Sequence, residues 1–171
     1  MLFLLTITVS FSIWHWKRVF WAATGFTVGH SLSLAAATLG LVKVNGAWVE
    51  FIIPVTILIS ALFTAIKSQG KKMEYFSALQ FTTVILFGLI HGLGFSSELL
   101  SFLSGEIDPL IPLVSFNIGV ELGQLLIVAV ILLFNYLVEN ILNIKKANWV
   151  LFCSGGAFSI ALMLIFENKI W

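Results

Sequence analysis

Long apolar runs, interrupted by short polar stretches, dominate the chain. Six runs stand out, at about 1–14, 18–42, 48–66, 75–97, 110–138 and 148–166. The breaks between them carry Gly, Pro, Asn or charge, as linkers do. Only helices and closed barrels satisfy every backbone group inside hydrocarbon, and runs this long and continuously apolar are helical. The pattern predicts an all-α, polytopic integral membrane bundle of about six transmembrane helices, one domain over residues 1–171. The first run is short: MLFLLTITVSFSIW offers about 14 apolar residues where a span needs roughly 20. No basic residue precedes it and no cleavage site follows, so it reads as part of a mature membrane helix rather than a signal peptide.

Composition sharpens the picture. The chain is 60% hydrophobic and 10% charged, far too apolar for a soluble domain of 171 residues. Its natural solvent is a lipid bilayer. A net charge of +1 gives no basic field for nucleic acid. The single cysteine, Cys153, lies in an apolar run and reads as a small packing residue. There is no CxxC, no HExxH and no phosphate-cradling glycine loop, so nothing supports a thiolate zinc site or an ATP-driven pump.

Charge also sets an orientation. Lys17, Arg18, Lys67, Lys71, Lys72, Lys145 and Lys146 fall in the first, third and fifth loops; Lys43 and Lys169 lie on the other side. Over six spans this places both termini outside the cytoplasm, on the side of the acidic Glu98, Glu106 and Asp108. The tryptophans Trp14, Trp16, Trp21, Trp48, Trp149 and Trp171 all fall near predicted helix ends, as interfacial anchors do.

Within the runs, His30, His91 and Glu121 are the ionisable residues that matter. Such groups are rare inside a bilayer, face the bundle interior and are often functional. At 1.5 Å per residue, His30 lies roughly 18 Å and His91 roughly 24 Å from the inner ends of their helices. Glu121 lies roughly 16 Å from an outer end. In a core about 30 Å thick, all three fall between the midplane and the outer third. Asn117, Glu121 and Gln124 share one helix face at i, i+4, i+7; Thr27, His30, Ser31 and Leu34 share another. Two imidazoles, a carboxylate and amides form a mixed nitrogen and oxygen set that suits Ni²⁺, Co²⁺ or Zn²⁺ better than Ca²⁺ or Cu⁺. His30, His91 and Glu121 are the expected metal ligands, with Asn117, Gln124, Ser31 and Thr27 as secondary or orienting groups. The competing expectation is a polar layer that only ties helices together. The glycine pairs Gly25/Gly29, Gly88/Gly92 and Gly119/Gly123, each four residues apart, are expected to bring helices into close contact. Pro54 frees the carbonyl of Glu50, which then needs a partner.

Three stretches, GFTVGHSLSL at 25–34, FGLIHGLGF at 87–95 and FNIGVELGQL at 116–125, resemble the HupE/UreJ family of small bacterial membrane proteins. The likeness covers nearly the whole chain, with its motifs in the same order. It implies about six spans in the bacterial cytoplasmic membrane and a nickel or cobalt permease; some members accompany nickel hydrogenases or ureases. Members typically begin with a Gly-x-Asp-His stretch leading into Leu-Phe-Leu-Leu. Here Leu2, Phe3, Leu4 and Leu5 follow Met1 directly. The family pattern and the short first run together set the expectation that the natural chain extends upstream, with an Asp-His pair joining the metal site.

The leading expectation is therefore a divalent-metal permease, not an enzyme, with Ni²⁺ or Co²⁺ as cargo and no tightly bound cofactor. An ion gradient or a partner would supply the drive. The alternative is a non-transporting membrane scaffold or accessory subunit. An intramembrane hydrolase ranks third: Ser96 and Ser97 lie near His91 in GLGFSSE, but no nucleophile motif accompanies them. The expected partners are the lipid bilayer and the metal ion; a homo-oligomer or a metalloenzyme-maturation partner stays open.

Overall fold

The computed structural model describes residues 2–69, 78–102 and 110–168. Among these residues every regular element is helical. They form α1 (Leu2–Thr8), a 3₁₀ turn (Ile13–His15), α2 (Trp16–Thr38), α3 (Gly46–Ser68), α4 (Ala78–Gly94), α5 (Ser96–Phe102), α6 (Leu110–Asn140) and α7 (Lys146–Glu167). Three helices, α3, α6 and α7, are long and apolar enough to cross a membrane. The protein is thus an all-α membrane bundle. α2 equals α3 in length at 23 residues, but Thr24, Thr27, His30, Ser31 and Ser33 dilute its apolarity. α4 is apolar over its 17 described residues.

The first apolar run is not one continuous helix. α1 covers about 10 Å, a third of a hydrocarbon core. The chain then turns through residues 9–12 before the 3₁₀ turn. A side chain from α6 occupies this break. The Nδ2 of Asn135 donates to the carbonyls of Thr8 (3.2 Å), Val9 (3.4 Å) and Phe11 (2.9 Å). Its Oδ1 accepts from the indole Nε1 of Trp149 on α7, at 2.9 Å. One buried amide thus serves three carbonyls at the break with its two hydrogens, and that of Thr8 also accepts from Phe11 N–H at 3.0 Å. The fourth run is also interrupted: α4 stops at Gly94 and α5 begins at Ser96.

Glycine decides the most extensive contact, between α2 and α4. A methyl added at Gly29 would fall on the carbonyl oxygen of Ile85, and one at Gly88 on that of Phe26. One at Gly92 would strike the carbonyl oxygen of His30 and the Ser33 hydroxyl. At Gly25 the obstacle is the Phe81 ring, 2.8 Å away. The expected packing of these two pairs is thus backbone against backbone. The third pair differs: among the described residues nothing lies within 4 Å of a methyl built at Gly119 or Gly123. α6 approaches α2 through longer side chains, so its glycines have no neighbour to admit.

α1 packs against α3, α6 and α7. Its Phe3 joins Phe26, Ile57, Val84 and Ala161 in one core cluster, and its Leu4 joins Phe11, Val19, Ala23, Val128 and Leu132 in another. At the end of α2, Gly40 adopts φ 73°, where a side chain would be strained. It lets Leu41 N–H reach the carbonyl of Ala36 (2.9 Å) and Gly40 N–H that of Ala37 (3.0 Å), a Schellman closure. Pro54 sits inside α3, and the Glu50 carbonyl meets the Asn168 amide at 3.5 Å. Lys71, Lys72, Glu106, Asp108, Lys169 and Trp171, on which part of the orientation argument rests, lie outside the described residues, as does any chain before Met1.

Candidate functional site

α2 carries the site on two of its faces. One face meets α6 through side chains alone. The Oγ of Ser31 donates to the Oδ1 of Asn117 at 2.7 Å, Thr27 to the Oε1 of Gln124 at 3.0 Å, and Thr24 to the Oε1 of Glu121 at 3.1 Å. Asn117 also donates through Nδ2 to the Leu113 carbonyl at 2.9 Å, and the single Thr27 hydroxyl hydrogen is shared with the Ala23 carbonyl at 3.2 Å. Small hydroxylated residues on α2 thus reach longer amides and a carboxylate on α6, in a medium where an unpaired polar group is costly. The face shared by Asn117, Glu121 and Gln124 is real and turned towards α2.

The other face holds His30, and it is aromatic. The His30 ring is 2% exposed. It stacks on Phe26 (6.2 Å between centroids, 17° between planes) and on Phe116 (6.4 Å, 23°), and meets Phe95 edge-on (5.6 Å, 66°). Neither ring nitrogen has a hydrogen-bond partner among the described residues, although both are buried. The backbone around it is tied down instead: Ser33 Oγ donates to the His30 carbonyl at 3.1 Å, beside Gly92.

His91, on α4, is fixed differently. Its Nδ1 lies 2.8 Å from the Phe87 carbonyl one turn earlier. A carbonyl can only accept, so Nδ1 carries the hydrogen and Nε2 of the neutral ring keeps a free lone pair. The His91 ring contacts Phe26 edge-on (5.2 Å, 62°) and Phe3 of α1 (5.9 Å, 35°). The Phe26 ring therefore touches both imidazoles, and Phe3 and Phe87 pack around it.

The expected three-ligand cluster is not gathered in this conformation. Among the described residues no group of three or more His, Cys, Asp or Glu side chains could hold a metal ion. The reasons are axial offset and rotation: Glu121 meets Thr24, six residues and about 9 Å before His30 on α2. Thr27 and Ser31 point at α6 while His30, between them in sequence, turns towards Phe95 and Phe116. Glu121 falls with the hydroxyls and the histidines fall with the phenylalanines.

A family model described as HupE / UreJ protein matches residues 1–168. The chain belongs to that family. Comparison with curated proteins and with solved structures returned no match. For this HupE/UreJ protein the geometry adds residues that the polar pattern alone passed over. Phe26, Phe95 and Phe116 box His30, and all three sit inside the sequence stretches that carry the family likeness. Asn135, 1% exposed, ties α1, α6 and α7 together. Its signal was a lone amide in the apolar run LLFNYLV. The serine reading gains nothing at Ser96, whose hydroxyl donates to the Leu93 carbonyl at 2.7 Å.

Proposed function

We propose that this protein is a permease of the bacterial cytoplasmic membrane for a divalent transition-metal ion, nickel or cobalt, with His30 and His91 as the imidazole ligands of the cargo. One observation carries the proposal. His30 is almost fully buried, yet both its ring nitrogens lack a partner among the described residues. A buried polar group left unpaired costs about 1–3 kcal/mol, and proteins tolerate that where the group has work to do. Imidazole nitrogen in a dry aromatic box suits a borderline metal ion better than a hard one. The family supports the cargo, being associated with nickel or cobalt transport or with urease and hydrogenase maturation.

In this reading the two imidazoles bind in succession rather than as a closed cage, with the Phe26 ring between them as the group that must give way. A carrier has to release its ion, so few ligands at a time is an advantage. Glu121 supplies negative charge in the middle of α6. The chain sits with both termini outside and Lys17, Arg18, Lys67, Lys145 and Lys146 on the cytoplasmic side. A second reading, a non-transporting accessory subunit, is favoured by the three α2–α6 bonds, which satisfy every orienting residue without any ion.

Uptake of Ni²⁺ into proteoliposomes separates the two. The permease reading expects saturable uptake that His91→Ala reduces at least about tenfold, the scale of one lost ligand. Ni²⁺ flux no greater than in empty liposomes would leave the accessory reading standing.

A further inference from the structure

α6 carries a carboxylate without a counter-charge. Glu121 lies about 16 Å into a helix apolar enough to cross the membrane. Its one hydrogen bond comes from the Thr24 hydroxyl, and among the described residues it forms no ion pair. A hydroxyl does not neutralise a carboxylate, and an uncompensated charge in hydrocarbon is neutralised by a cation or a proton.

The polar groups on this seam offer oxygen. Thr24 and Thr27 lie three residues apart on α2, as do Glu121 and Gln124 on α6. The bonds Thr24–Glu121 and Thr27–Gln124 hold all four within one turn of each helix. Ser31 and Asn117 form the next rung. Thr27 is 5% exposed and Gln124 is 3% exposed, while Thr24 and Glu121 are half-buried, so the set runs from the inside of the seam to its edge. Each hydroxyl and amide oxygen keeps a lone pair beyond its hydrogen bond. No imidazole joins them, because His30 is boxed by phenylalanines on the neighbouring face. Oxygen donors without nitrogen suit hard cations. The charge of the set is that of one carboxylate: a monovalent ion cancels it, and a divalent ion would leave a net positive charge in a low-dielectric seam.

We propose that the α2–α6 seam is a binding site for a hard monovalent cation, Na⁺, with Glu121 as its counter-charge and Thr24, Thr27 and Gln124 as neutral oxygen ligands. The role follows from the transport reading, on which this part rests: the ion is the coupling ion, and its inward gradient supplies the drive that no nucleotide motif in the sequence provides. The permease then has two sites on two faces of α2, nitrogen for the cargo and oxygen for the driving ion. His30 and Ser31 are adjacent on that helix, so a movement that fills one site is felt at the other.

The test needs no nickel. The full chain is melted in detergent with chelator, at fixed pH and ionic strength, in NaCl, KCl or choline chloride. Na⁺ at about ten times its Kd is expected to raise the Tm by about 3–5 °C over choline. Glu121→Gln, which keeps the acceptor for Thr24, is expected to abolish the shift. Thr27→Val is expected to raise the half-saturating Na⁺ about tenfold, as loss of one ligand does. His30→Ala is expected to keep the shift. Equal melting in all three salts overturns the site, as does a Na⁺ shift that survives both Glu121→Gln and Thr27→Val. Melting that follows pH and ignores Na⁺ overturns it in favour of a proton. Because cargo is absent, failure here leaves the imidazole site to its own assay, and a Na⁺ shift without Ni²⁺ uptake removes the permease reading alone.

Discussion

Two contacts made by one helix behave in opposite ways. Against α4, α2 presents glycines, and the two backbones touch with no room for a methyl group. Against α6, it presents hydroxyls that bond longer polar side chains, and the His30 ring, which stacks on Phe116. The first contact is steric, has no chemistry and sets where α2 stands. The second has chemistry and some slack. Function needs both, because a ligand on α2 is useful only if α2 itself is held rigidly. Glycine pairs alone do not announce which kind of contact they make, as the open surface around Gly119 and Gly123 shows.

The contrast is broken most severely at the glycines. Gly88→Ala should destabilise by about 3 kcal/mol or more, because the methyl meets a carbonyl oxygen that cannot rotate away. Thermal melting in detergent, with the yield of monodisperse protein, checks this; a Gly88→Ala variant that melts within a degree of the parent would refute the interlock. Asn135→Leu comes next. It removes the Asn135 donor from the carbonyls of Val9 and Phe11, leaves that of Thr8 to Phe11 N–H alone, and should cost about 2–3 kcal/mol. Hydrogen exchange at residues 9–12 should rise at least about tenfold, since about 1.4 kcal/mol is already a factor of ten. Unchanged exchange there would show that the break holds itself. Ser31→Ala removes one rung of the seam and should cost only about 0.6 kcal/mol, the usual worth of such a bond in a membrane. A loss above about 2 kcal/mol would mean that the seam, not the glycine contact, positions α2. Smallest of all, Gly119→Ala should leave the melting temperature unchanged or slightly raised, as Ala is the better helix former by about 1 kcal/mol. A clear loss of stability would reveal a neighbour for that face beyond the described residues.

Much of this was legible in the sequence. Apolar runs gave the helices because period and length are properties of the chain itself. The rungs Asn117, Glu121 and Gln124 share a face because i, i+4, i+7 fixes direction once the helix is granted. Depth was less informative. Residue counts put His30, His91 and Glu121 at one height, but they fix neither the rotation nor the offset of one helix against another: Glu121 meets Thr24, which lies six residues and about 9 Å from His30 along α2. Thr27, His30 and Ser31 look like one face on a helical wheel, yet Thr27 and Ser31 bond Gln124 and Asn117 of α6 while His30 packs among the rings of Phe26, Phe95 and Phe116. The break after α1 was the least legible. Nothing local to TITVSFSIW demands it; the partner, Asn135, comes from more than a hundred residues away in sequence.

The claim that His30 is a cargo ligand, and not a packing residue, is tested most directly by His30→Phe. A phenyl ring fits among Phe26, Phe95 and Phe116 and removes two unpaired nitrogens, so the metal-free variant should melt as high as the parent or higher, by about 1–3 kcal/mol. Measured side by side, Ni²⁺ should raise the melting temperature of the parent and not that of the variant, and Ni²⁺ uptake by the variant in proteoliposomes should fall at least about tenfold. A well-folded His30→Phe protein that still takes up Ni²⁺ at the parental rate would contradict the account.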